Sequence, residues 1–97
     1  MISIMSVKVY EKVGMGLRVE LPDSPPLLLV VAERGFVMCG FLNVDVAEKS
    51  GVAAAVVSGV KSFEDVLDAD VKAVTSRAKM LGVEVGMKGV EALKRLF

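Results

Sequence analysis

The sequence predicts an α+β domain: a two-layer α/β sandwich in which a mainly antiparallel or mixed sheet carries helices on one face. Three observations carry this. Apolar and β-branched runs crowd into the first 58 residues, three- and four-residue apolar spacing is confined to the last third, and glycine- or proline-rich turns separate the segments. Strands first and helices later is the order that segregates helices to one side of a sheet. With 97 residues, the chain has room for a single domain, 1–97.

Val7 to Leu21 is rich in β-branched residues and partly alternates, with Lys8, Glu11, Lys12, Arg18 and Glu20 between apolar positions. Gly14-Met15-Gly16 interrupts it, so the segment reads as two strands, or as one strand bent at the glycines. Pro22-Asp23-Ser24-Pro25-Pro26 is a loop, because proline cannot donate to a ladder and restricts the residue before it. Leu27–Ala32 and Phe36–Leu42 are continuous apolar strands flanking the Arg34-Gly35 turn, which makes them a hairpin. Neither alternates, and strands of that kind have both faces covered.

Asp45 is placed to cap a short helix through Ser50, which Gly51 closes in the left-handed conformation. Val52–Ser58 is short and glycine-bounded and reads as a strand. Ser62-Phe63-Glu64-Asp65 resembles a capping box opening a helix to Leu67. Asp68 or Asp70 then caps a helix whose stripe is Val71, Val74, Ala78 and Leu81, ended by Gly82. Val83–Val85 reads as a short strand. Gly89 opens a last helix with Val90, Leu93 and Phe97 on one face.

The composition bounds the function. Lysine and arginine number 12, as do aspartate and glutamate, so no net charge is available for a phosphate backbone or an anionic membrane. No nucleic-acid or membrane partner is expected. One cysteine, Cys39, excludes an internal disulfide and fits a reducing, cytoplasmic setting. The N-terminus has no cationic start and does not read as a signal peptide. The longest apolar run, Leu27–Ala32, is far short of the ~20 residues that span a bilayer. The chain has no His, Trp or Gln, and its one Asn is Asn43, a depletion of heat-labile amides that points to a thermophilic, archaeal type of source.

Hydrophobic residues make up 54% of the chain, above the usual ~45–50%. A domain this small hides only about 60–65% of its unfolded surface. The expectation is a homo-oligomer, most simply a dimer, joined through the sheet face or edge that the continuous apolar strands leave uncovered.

Each candidate site residue also admits a plainer role. Cys39, within Met38-Cys39-Gly40, is either a reactive thiol or a small core residue. The usual base is absent, so a Cys-His pair is impossible. Asn43 and Asp45 follow the apolar strand as ligand candidates, or serve as turn and cap. Gly86-Met87-Lys88-Gly89 precedes the last helix, where Gly86, Lys88 and Gly89 offer an anion site or merely a turn. Arg77 reaches either a ligand or solvent. No metal site and no cofactor fingerprint are present in the spacing.

Arg34-Gly35-Phe36-Val37-Met38-Cys39-Gly40-Phe41-Leu42 resembles the signature of the YunC-like family, small bacterial and archaeal proteins classed as a domain of unknown function. Residues 58–67 and 81–93 extend the resemblance over nearly the whole chain. It implies a compact two-layer sandwich and no established activity. Its motif positions fall here on Gly35, Met38, Cys39, Gly40, Gly59, Gly82, Gly86 and Gly89. The reading that follows is a self-associating accessory or interaction domain. Its rival is a small enzyme or anion-binding protein built on Cys39 and the glycine loops, with Lys88, Lys61 or Arg77 holding the anion.

Overall fold

A computed structural model describes all 97 residues. The element order is β1 (Ile2–Val9), β2 (Lys12–Val19), β3 (Leu27–Val31), β4 (Gly35–Met38), α1 (Val44–Lys49), β5 (Ala53–Val56), α2 (Phe63–Asp68), β6 (Ala73–Val74), α3 (Ser76–Met80) and α4 (Gly89–Arg95). The six strands form one mixed sheet in chain order. All pairings are antiparallel except β4 with β5, which run parallel. A parallel pair needs a crossover, and α1 supplies it.

The α+β sandwich is thus present, with two corrections to the layering. α2 and α4 cover one face, over a core that includes Leu28, Val30, Val37, Ala55, Val66 and Leu93. α1 stands alone on the opposite face, where Ala47 packs on Met38 and Ala54. The two apolar strands of the central hairpin therefore differ. β4 is covered on both faces by the chain's own helices. β3 buries Leu28 and Val30 but leaves Leu27, Leu29 and Val31 half-exposed.

The N-terminal hairpin turns at Tyr10-Glu11 and not at the glycines. Tyr10 adopts a φ of 55°, the left-handed conformation that two-residue hairpin turns require. Its hydroxyl donates to Glu91 at 2.7 Å, and Lys94 lies over its ring, so contacts with α4 hold a non-glycine residue there. Gly14 and Gly16 lie inside β2 on the helical face. A Cβ at Gly16 would come within 2.8 Å of the Phe63 ring and 2.7 Å of Val7. Glycine here lets α2 sit close to the sheet, which makes no break in the strand.

Four other expectations shift. β4 ends at Met38, and residues 39–42 turn away, with the Leu42 N–H bonded to the Cys39 carbonyl. The Val71–Val74 stripe is extended, because the Lys72 and Thr75 amides pair with β5 carbonyls, and α3 begins only at Ser76. Thr75 caps it in place of either aspartate. Val83–Val85 forms no strand, its first amide returning to the carbonyl of Ala78. In α4 the buried positions are Gly89, Ala92 and Leu93, with Leu96 following, while Val90 and Phe97 are only half-buried.

Candidate functional site

The sheet presents an open face on the α1 side. The ladder register places Ile4, Leu17, Leu29 and Met38 side by side, and Ser6, Met15, Val31 and Phe36 in the next outward row. Along β1, β2 and β3 this face is apolar except for Ser6 and Lys8. Ile2 is 65% exposed, Ile4 67%, Val13 63% and Met15 50%. Burying such side chains gains about 25 cal/mol per Å² removed from water, and here nothing in the chain covers them. Sequence pattern pointed to β3 and β4 as the open surface. The structure moves it one hairpin earlier, because α1 roofs β4 and no helix covers β1 and β2 on this face.

α1 forms the wall of this face. Between it and the sheet runs an apolar groove of about 430 Å³ lined by Leu29, Phe36, Met38, Leu42, Val46 and Val52, among others. The helix stands where it does through its ends. Asn43 caps it, accepting from the Asp45 amide at 2.8 Å, so the cap is Asn43 and Asp45 lies in the first turn. At the other end Glu48 accepts from the Ser76 amide at 3.0 Å and from the Ser76 hydroxyl. These bonds hold the Glu48 carboxyl below its ordinary pKa.

A second cavity lies at the opposite edge of the central strands. Cys39 and Gly40 leave β4, and Ser58 and Gly59 leave β5, at the carboxyl ends of the two parallel strands. With Pro25, Pro26, Phe41 and Val60 they line a pocket of about 210 Å³. Open sheets commonly bind ligands at that end of parallel strands. None of the eight lining residues is charged. Cys39 is 3% exposed, belongs to the main core and accepts from the Leu28 amide at 3.3 Å through its sulfur.

The remaining candidates do not join this cleft. Lys88 pairs with Asp70 at 3.1 Å, and that carboxylate raises its pKa. The Gly86 and Gly89 amides bond to the carbonyls of Val71 and Ala69. A Cβ on Gly89 would overlap the Val66 carbonyl, so this glycine serves the contact of α4 with α2. Arg77 lines a different cavity with Arg34, at the other end of β4. Lys61 lies in the loop beside Val60, its carbonyl accepting from Arg18 at 3.1 Å. No group of three acidic, histidine or cysteine side chains stands close enough to hold a metal, and no helix is long and apolar enough to cross a membrane.

A family model described as a domain of unknown function, DUF1805, matches residues 38–96. The chain belongs to the DUF1805 family. The uncharacterized protein YunC of Bacillus subtilis is 30% identical over 100 residues, covering 99% of this chain and 98% of its own. The crystal structure of a protein of unknown function, TA1206 from Thermoplasma acidophilum, superposes with a TM-score of 0.92 at 31% identity. That match covers 100% of this chain and 94% of the other. Within the DUF1805 match, Met38, Cys39, Gly40 and Gly59 meet in or beside the small cleft. Gly82, Gly86 and Gly89 serve turns and helix packing some distance along the chain. The open face of β1 and β2 lies outside the matched residues. The sequence signal that could have found it is the alternation of Ile2, Ile4 and Ser6 against Val13, Met15 and Leu17, which extends upstream of Val7.

Proposed function

We propose that this chain works as a self-associating accessory domain, a homodimer in its simplest form, joined through the open face of β1, β2 and β3. The observation that carries the reading is the row of half- or more exposed Ile2, Ile4, Val13 and Met15 on one continuous sheet face. β1 and β2 with eight residues each and β3 with five, at ~3.3 Å per residue and ~4.8 Å between strands, give roughly 330 Å² in plan. Side-chain relief and the α1 groove extend this toward the ~800 Å² per partner of a stable complex. Charged residues are depleted across it, as in the centre of interfaces.

The setting fits. A lone buried thiol suits the cytoplasm, and balanced charge supports neither a nucleic acid nor a membrane as partner. The near absence of amide side chains supports a thermophilic source. Introducing a charge at the centre of the face tests the proposal. Met15→Glu should convert the chain to a monomer on gel filtration while its circular dichroism stays that of the native fold. Unchanged elution would contradict the reading.

A second reading is favoured by one observation, the placement of Cys39 and two glycines at the carboxyl ends of parallel strands. The cavity is below the ~300 Å³ at which drug-sized ligands fit, so only a small molecule would enter. A reactive thiol needs a neighbouring cation, base or helix N-terminus, and the lining supplies no charged group. Cys39 should therefore resist iodoacetamide in the folded chain and react once denaturant is added. Rapid alkylation at neutral pH would instead favour a nucleophile.

A further inference from the structure

Resting on the reading of the small cleft as a ligand site, we propose that it is an anion site built from main-chain amides, and that it takes a small monocarboxylate. The cleft lies where β4 and β5 end, with Cys39, Gly40 and Phe41 from one strand end and Ser58, Gly59 and Val60 from the other. Both segments leave the sheet here, so their N–H groups leave the ladder. Of the lining residues, Pro25 and Pro26 have no N–H. That of Cys39 donates to the Leu28 carbonyl at 3.0 Å. Those of Gly40, Phe41, Ser58, Gly59 and Val60 have no backbone partner, and no side chain accepts from them. Val60 is only 5% exposed. A buried N–H without a partner is rare, because it costs about as much as a lost hydrogen bond. The cleft is the space beside it in which an acceptor fits.

The ligand class follows from what the lining offers and what it lacks. Gly59 takes a φ of 70° between Ser58 and Val60, the left-handed step that brings successive N–H groups to one side in an anion-binding turn. No carboxylate lines the cleft to oppose an anion. Asp65, in the following segment, is engaged by the Lys61 amide at 3.0 Å, and the Arg18 guanidinium donates to the Lys61 carbonyl at 3.1 Å, one residue beyond Val60. Arg18 also faces Glu20 at 3.9 Å, which offsets part of its charge. No cation lines the cleft either, so a doubly charged phosphate would enter without a counter-charge. A carboxylate carries a single charge on two oxygens that accept several N–H bonds. Pro25, Pro26 and Val60 give its hydrocarbon end an apolar wall, and the volume of about 210 Å³ restricts that end to a few carbons. Gly40 needs neither a positive φ nor a close neighbour, since a Cβ there would meet nothing within 4 Å; its missing side chain leaves the cleft open. The Cys39 thiol takes no part, because its sulfur already accepts from the Leu28 amide at 3.3 Å.

Nuclear magnetic resonance of the isotope-labelled native chain reads these amides directly. The chain is titrated with sodium acetate, with acetamide as the neutral molecule of the same shape, and with sodium chloride at matched ionic strength. The expected result is a saturable downfield shift of the Gly40, Phe41, Ser58, Gly59 and Val60 amide protons with acetate alone. Equal saturable shifts with acetamide would show a cleft indifferent to charge; they overturn the anion proposal and leave the cleft a ligand site. Shifts that follow chloride as closely as acetate, or no shift with any of the three, overturn both.

Discussion

Glu48 shows how much one exposed side chain can organise. It joins the end of α1 to the start of α3 through both the amide and the hydroxyl of Ser76. Its carboxyl is held below the ordinary value, chiefly by these bonds and secondarily by Lys79. A depressed carboxyl stabilises the fold above its unfolded pKa, and the contribution is lost as pH falls through the folded value. Unfolding midpoints measured from neutral pH into the acid range should therefore fall less steeply for Glu48→Gln than for the native chain. Equal acid slopes would show the bond to be inert. Gly89 is the other telling residue. Its missing Cβ lets α4 lie against the Val66 carbonyl, so Gly89→Ala must push two helices apart. A loss of about 3 kcal/mol is expected, at the upper end for overpacking, and denaturant titration reads it. The sequence marked Gly89 as a helix start and an anion candidate. What it could not convey was the proximity of α2, twenty-odd residues away, which is a tertiary fact.

At the level of elements, the legible parts were those whose ends are set by local chemistry. Ser62 caps α2 by accepting from Asp65, Gly51 and Gly82 take left-handed φ values after their helices, and the proline loop separates β2 from β3. Elements set by distant partners were read less well. Val71, Val74 and Ala78 share helical spacing, yet the first two belong to an extended segment because β5 offers carbonyls to pair with. Gly14 and Gly16 resemble a turn in sequence but fit inside β2, Gly14 beside Phe97 and Gly16 under Phe63. α1 is short and owes its place to its caps. Asn43→Ala should cost about 1 kcal/mol, measured by chemical denaturation, and should also loosen the groove wall. No change in stability would mean that the cap is replaced by solvent.

For the molecule as a whole, composition points to exposed apolar surface but does not say where it lies. An apolar content of 54% in 97 residues signals surface that a lone chain cannot hide. The surface was assigned to the two continuous apolar strands, because a lack of alternation implies two covered faces. β4 meets that expectation within its own chain, between α1 and α4. The uncovered area belongs to β1 and β2, whose alternation looked like an ordinary half-buried hairpin. Alternation identifies two different faces; it does not say which face water reaches, and here both rows of the hairpin are largely apolar. The candidate cleft was partly visible. Cys39-Gly40 and Gly59 stand out in the sequence, but their meeting depends on the parallel pairing of β4 with β5. Lys88 and Arg77 were grouped with Cys39 for their chemistry, and the fold puts them elsewhere.

The central claim is that the open sheet face is closed by a second copy. Sedimentation equilibrium of the native chain across the micromolar range tests it most directly. The account predicts a mass of twice 10.3 kDa; a single species of 10.3 kDa at every concentration would contradict it.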